Sequence, residues 1–382
     1  MKSANSFIKL FILTSVVFCL VQMLICWPLW TYSTDRLLPP IPLGFDLEAG
    51  MSLNGLNVLL VAASFLGLIG GLVTEKPLWF WAGLLGFGVL IILDINRFQS
   101  WLHFYLIIWL FQALSFKDVD FSNRLSILQF GFIAIYFWSG IHKLHPHFYT
   151  NTYQWMMSIL AVTKPISQNQ ILSVFPGLVE AMLGLLLWPL KTRKYATLGL
   201  IVMHLFILSA LVADGWNVVV WPWNVFMIVS LIILFIKTPN QQSLNFNTLN
   251  KKLKSIYLIT CVILPFLFLF NTDLANMAFS MYCGRTVDGK LIVPSQSLHC
   301  FDGSLKEEFE TFKDIDNLQS LDLDTWAGKA FNTPIVSSQY LYKRLAKHYA
   351  HCAPDSIGLI IKKYNIFEKN KITEVYLAKD LE

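Results

Sequence analysis

With 55% apolar and only 14% charged residues among 382, the chain falls well short of the roughly one-quarter charged content of soluble domains, which excludes an ordinary water-soluble globule. Its net charge of +5 calls for no nucleic-acid partner, because basic residues gather in the cytoplasmic loops of membrane proteins. Of the 53 Asp, Glu, Lys and Arg residues, 28 follow Asn271 and 25 precede it, so an apolar part (1–271) and a polar part (272–382) are expected.

Met1 to Lys9 and the apolar run to Trp30 are too long for a secretory signal, and no small-x-small cleavage site follows; a retained first span is the reading. A helix needs about 20 apolar residues to cross a hydrocarbon core, and nine stretches approach that length. They run approximately from Ile8 to Trp30, Asn57 to Val73, Leu78 to Leu93, Trp101 to Phe116, Leu125 to Ile141, Ile171 to Leu190, Tyr195 to Val212, Val218 to Ile236 and Ile256 to Asn271.

With the N-terminus inside, Lys2, Lys9, Lys76, Lys117, Arg124, Lys191, Arg193, Lys194, Lys237, Lys251, Lys252 and Lys254 fall on the cytoplasmic side. Only Arg36, Arg97, Lys143 and Lys164 fall opposite. This asymmetry fixes the orientation, and an odd number of spans places the tail outside the cytoplasm. The fold class expected is an all-α polytopic membrane bundle of about nine transmembrane helices with a small extracytoplasmic α+β C-terminal domain.

In that domain, strands are expected at 290–293, 357–361 and 372–377, and helices at 305–312 and 339–350. Cys283, Cys300 and Cys352 suggest one disulfide and one free thiol in an oxidising compartment, with the pairing open. Cys19, Cys26 and Cys261 lie in spans, as lipid-facing or packing residues. No repeat of solenoid period is present.

Ionisable side chains inside a bilayer are costly and mark function by default. They are His103, Glu180 and His204, with Asp94, Arg97, His142, Lys143 and Asp214 at span ends. His103 and Lys143 reach the same outer level and can face one cavity, while Glu180 and His204 lie near mid-depth and can pair. Lys143 has two readings: an amine in a confined apolar site, whose charged form is disfavoured so that it serves as a neutral base, or a lysine snorkelling to the interface. His142, His145 and His147 invite a metal reading, but carboxylate or cysteine at ligand spacing is missing and Pro146 breaks the register. Tyr149 to Trp155, with Met156 and Met157, reads as an aromatic shelf along the outer membrane surface.

Tyr136 to Leu144 (YFWSGIHKL) resembles the segment bearing the catalytic lysine in vitamin K-dependent gamma-carboxylases and in the wider family of horizontally transferred transmembrane (HTTM) domain proteins. Asp94 to Arg97 with Trp101, His103 and Tyr105 resembles the preceding histidine block, and Met203 to Leu205 with Trp216, Asn217 and Trp221 to Asn224 the later one. The resemblance implies nine spans, a cytoplasmic N-terminus and a base, Lys143, that deprotonates vitamin K hydroquinone. Oxygen then yields an alkoxide able to take a proton from a glutamate side chain, and carbon dioxide adds to the carbanion.

Carried over, Lys143 would be the base, His103 and His204 its hydrogen-bonding or proton-shuttling partners, and His142, Trp101 and Glu180 cofactor contacts. Two departures stand: His142 occupies the place of a second lysine, and the tail is far shorter than the carboxylase's lumenal portion. The expected cofactor is a reduced quinone of the menaquinol or vitamin K hydroquinone type, drawn from membrane lipid in a bacterial inner membrane. An extracytoplasmic protein or peptide is the expected substrate. The alternative is a non-catalytic membrane factor that assembles or anchors an exported protein. A transporter is disfavoured, because paired broken helices and an internal repeat are missing.

Overall fold

The computed structural model of the protein describes residues 2–31, 38–44, 54–115, 121–238, 244, 246–301, 303–312, 317–350, 353, 355–364 and 371–381. The apolar part is a bundle of helices: α1 (Lys2–Ile25), α2 (Trp27–Trp30), α3 (Asn54–Thr74), α4 (Pro77–Leu93), α5 (Ser100–Leu114), α6 (Phe121–His142), α7 (Tyr153–Ile159), α8 (Phe175–Leu186), α9 (Leu190–Asp214), α10 (Val220–Leu231), α11 (Lys251–Leu258) and α12 (Leu264–Phe268). Four stretches, Ser6–Ile25, Gly55–Thr74, Asn123–His142 and Leu190–Asp214, are long and apolar enough to cross a membrane. The α6 stretch is 83% buried and the α9 stretch 33%, so α6 is the axle of the bundle and α9 part of its rim.

The other five predicted spans are shorter or interrupted. Pro77–Leu93, Ser100–Leu114, Leu172–Leu186 and Val220–Ile236 are apolar helical stretches of 10–17 residues. The ninth is divided among α11, a π-helical turn (Ile259–Ile263) and α12, which has Pro265 in its first turn; proline removes a backbone donor and crowds the preceding turn. The aromatic stretch expected as a shelf at 149–155 is built from a π-helical turn (Phe148–Thr152) running into α7. Cys19, Cys26 and Cys261 are buried packing residues. Arg97, expected at a span end, is fully buried and donates to Leu29 O (3.1 Å), Asn57 Oδ1 (3.0 Å) and Leu90 O (3.1 Å).

The tail holds a five-stranded antiparallel sheet built from β1 (Asp288–Pro294), β2 (Glu310–Thr311), β3 (Leu318–Asp322), β4 (Gly358–Lys363) and β5 (Ile372–Leu377), in the order β2-β3-β1-β4-β5. Its helices are α13 (Gly303–Lys306), α14 (Leu323–Phe331) and α15 (Gln339–Ala350). Leu291, Val293, Leu321, Leu359 and Ile361 alternate inward and are buried with Trp326, Leu341 and Leu345, the pattern of a sheet covered on one face. The helix expected at 305–312 is a correction: α13 ends at Lys306, and Phe312 N bonds Leu318 O (2.9 Å) as the chain turns into β3. The Cys283 thiol is free and buried, and burial pushes it up. A disulfide involving Cys352 would lie outside the described residues.

Polar bonds dock the tail on one end of the bundle. Gln99 Nε2 donates to Pro334 O (3.1 Å), and Thr333 Oγ1 to Gln99 Oε1 (3.1 Å). Asn332 Nδ2 donates to Ile25 O (3.0 Å), and Tyr340 OH to Pro42 O (3.0 Å).

At that junction, enclosure and the charges of Asp288 and Asp322 push the Asp324 carboxyl up to about 8, against an opposing bond from the Ile335 backbone. Lys371 faces Asp288 (2.9 Å), Lys290 faces Asp322 (3.2 Å), and the Tyr342 phenol lies within electrostatic reach. The folded protein therefore holds a proton on Asp324 through a range where an unfolded aspartic acid, near 3.9, has lost it. The native state binds more protons between about 4 and 8, so this group makes stability fall as pH rises through that window. Asp324→Asn is expected to leave the thermal midpoint nearly unchanged at pH 4 and to raise it at pH 9. A wild-type-like drop between the two would show that Asp324 is not responsible.

Candidate functional site

A cavity of about 190 Å³ lies among α6, α7, α8, α9 and α10. Its walls are mostly apolar, including Met156, Met157, Val179 and Phe206, and its polar residues are few: Tyr136, Ser139, Lys143, Glu180, His204 and Asn224, with Thr152, Tyr153 and Tyr282 beside them. Val179 is 46% exposed on the apolar outer surface beside Phe175 and Met182, so one wall borders the lipid-facing flank. An apolar pocket with a few convergent polar groups is the usual form of a small-molecule site.

The polar groups are placed by helix geometry and by glycine. Tyr136, Ser139 and Lys143 are spaced i, i+3, i+7, one face of α6 and the turn that follows it. Opposite them, α8 approaches so closely that side chains at the seam would collide. A Cβ on Gly140 would lie 2.4 Å from Ala181 N and 2.5 Å from Gly177 O, and one on Gly184 2.8 Å from Phe137 N. Small residues that let helix backbones touch are the standard device in membranes. This approach brings Glu180 Oε2 to 2.5 Å from Lys143 Nζ, while Ser139 Oγ lies 2.8 Å from the same nitrogen.

A second network faces the cavity. Asn224 Nδ2 donates to Val220 O (3.0 Å), which turns Asn224 Oδ1 toward His204 Nδ1 at 2.9 Å. Nδ1 then carries the ring proton, and Nε2 is left to accept from Tyr136 OH at 2.9 Å. Glu180 is within electrostatic reach of both Tyr136 and His204.

Lys143, Glu180 and His204 thus meet in one cavity, with two changes of partner. Glu180 pairs with Lys143 rather than with His204, because the α6–α8 glycine seam brings the lysine closer. Lys143 is accordingly not an isolated amine in an apolar wall but half of a buried ion pair. Three candidates lie outside this cavity. His103 sits edge-on to Phe98 (5.3 Å) and against Phe279 (6.3 Å), and it is Phe279 that forms the cavity wall. His142 precedes Lys143 by one residue, about 100° round the helix, and stacks on Trp138 (5.5 Å) and edge-on to Phe268 (4.8 Å). Trp101 packs on Trp30 and Tyr105 and lines a separate chamber nearer the tail.

The three imidazoles of 142–147 diverge: His145 Nε2 lies 2.8 Å from Cys283 O, and the His147 ring meets Tyr364 at 4.1 Å. Burial lowers His145 to about 4. Among the described residues no three His, Cys, Asp or Glu side chains gather at metal-binding distance. Tyr136, Ser139 and Asn224 escaped notice as site residues, although all three lie in the quoted motifs and the i, i+3, i+7 stripe of α6 marks the first two. Comparison with family models, with curated proteins and with solved structures gives no match in any of the three.

Proposed function

We propose that this is a nine-span membrane enzyme of the HTTM and gamma-carboxylase-like kind, with a cytoplasmic N-terminus, that binds a quinol-type lipid in the α6–α10 cavity and uses Lys143 as its base. The observation that supports it best is the Lys143–Glu180 pair, turned into an otherwise apolar cavity that borders the lipid-facing surface. The orientation is supported by charge: Lys9 pairs with Glu75, and Arg124 lies within electrostatic reach of the same carboxylate, so three predicted cytoplasmic segments share one end.

The residues fit such a ligand, with apolar walls for a ring and chain and hydrogen-bonding groups in one region for a hydroxyl. A reduced quinone bound there supplies reducing equivalents and an acidic hydroxyl. In the resting pair the amine is an ammonium, so it would first pass its proton to Glu180 Oε2, 2.5 Å away, and the neutral Nζ would then take the proton of that hydroxyl, leaving ammonium and carboxylic acid with one proton gained by the pair. Ser139 orients the amine, while the Tyr136–His204–Asn224 chain offers a second donor in a fixed tautomer. A base positioned in this way contributes about 10²–10⁴-fold to rate.

In lipid vesicles with a short-chain menaquinol and oxygen, the wild type is expected to consume quinol, and Lys143→Met, alone and combined with Glu180→Leu so that no carboxylate is left uncompensated, to lower the rate about a hundredfold or more, with thermal unfolding confirming that the double variant is folded. Turnover indifferent to Lys143→Met overturns the proposal. So does a wild type inert toward quinols that purifies in fixed stoichiometry with an exported protein, the result expected of an assembly or anchoring factor.

A further inference from the structure

Between the bundle and the tail lies a second chamber of about 320 Å³, sharing Thr152, Val220, Met281 and Tyr282 with the inner cavity. It also shares Trp216, Asn217, Thr333 and Pro334 with a smaller hollow of about 220 Å³ beside α14. The three spaces adjoin one another through these shared walls, and the inner one reaches Lys143. Their partitions are built from unusual backbone. Asn217, Phe279 and Tyr282 all have positive φ (50°, 55° and 57°), a conformation that side-chain-bearing residues hold at a cost and that clusters at functional sites. Asn217 Nδ2 donates to Tyr282 OH (3.0 Å), latching two of these residues across the partition.

The chemistry of the middle chamber differs from that of the inner one. Trp101, Trp155 and Trp216 supply aromatic surface, and hydroxyl and amide side chains such as Ser100, Asn217 and Asn276 supply donors and acceptors. Among the described residues no lysine, arginine or histidine lines it, and Asp324 is the single acid. A wall without cations gives a phosphate or carboxylate nothing to pair with. Hydroxyl and amide side chains both donate and accept, so a ligand that does both is favoured. Flat indole faces with hydroxyl and amide partners match the apolar faces and hydroxyl edges of a sugar ring.

We infer that the middle chamber binds an uncharged glycosyl group, the head of an amphipathic molecule whose apolar portion extends through the Met281–Tyr282 partition toward the inner cavity. The inference deepens the proposed function by naming the class of acceptor, and it rests on that reading only in taking the inner cavity as a lipid-accommodating site. It departs from the glutamate acceptor that the carboxylase resemblance implies, because the chamber offers no cation to a carboxylate.

The test is calorimetric titration of the full chain in phosphatidylcholine nanodiscs with hexyl β-glucoside below its critical micelle concentration, against hexyl phosphate and a neutral capped tripeptide. Saturable binding of the glucoside alone is expected, weakened about tenfold or more in Asn217→Ala and in Trp216→Ala. Thermal unfolding checks that the variants are folded, and Trp79→Ala on the outer surface serves as a control for partitioning into lipid. Uptake of glucoside that never saturates, equal binding by both variants, or preference for the tripeptide or the phosphate overturns the inference. Because binding is read without turnover, loss of glucoside binding alongside intact Lys143-dependent quinol consumption would sink this inference alone. Intact binding with no such consumption would sink the enzymatic reading alone.

Discussion

Replacing Glu180 with leucine is expected to destabilise the bundle by about 3–5 kcal/mol, and adding Lys143→Met to that variant is expected to restore most of the loss. Lys143 is 8% exposed and Glu180 5%. Removing one member of a buried ion pair leaves the other charge without compensation, whereas replacing both with apolar groups of similar volume is often neutral or stabilising. In the single variant the amine keeps Ser139 Oγ at 2.8 Å and Ser139 O at 3.4 Å, which orient an ammonium but cannot neutralise it. Unfolding in detergent across the full double-mutant cycle measures the coupling directly. Quinol turnover should be lost in the single and the double variant alike, so stability and activity part company. A Glu180→Leu protein that unfolds like the wild type would show that the pair is not a buried charge pair at all.

The second large effect is expected at the glycine seam. Gly140→Leu should cost about 3 kcal/mol, the upper end of the usual range for overpacking, and abolish quinol consumption with it. The atoms that a Cβ would strike at 2.4 and 2.5 Å are Ala181 N and Gly177 O, both main chain, so no rotamer change relieves the clash and α8 must move away. Glu180 moves with it and the pair opens. Gly88 in α4 is the control, since a Cβ there meets nothing within 4 Å and Gly88→Ala should be neutral or gain up to about 1 kcal/mol of helix propensity. Equal behaviour of the two variants in unfolding and turnover would remove the seam from the account.

Much of the bundle was legible because apolar length is a strong signal: the predicted boundaries of the second to fifth spans lie within a few residues of α3 to α6. Less visible was where an apolar run stops being one straight helix, as at Ile259–Ile263, since a π-turn changes no composition. At the site, depth arguments placed His103 and Lys143 at one level but could not give the angle about each helix axis, and Phe279 occupies the space between. Glu180 was identified by cost, yet its partner was misassigned, because the approach of α6 to α8 depends on where glycines face one another. In the tail, β1, β4, β5 and α15 announce themselves by periodicity. The short β3 and α14 do not, having little length over which a pattern can repeat.

The bond from Asn332 to the carbonyl of Ile25 joins positions 307 apart in sequence. During synthesis, the end of the first helix therefore waits for its partner until nearly the whole chain has been made. Final locking of the two halves is a late event, because domains fold largely in the order in which they emerge. A ribosome that stops before the α14 codons would release a bundle whose first helix lacks this closing contact.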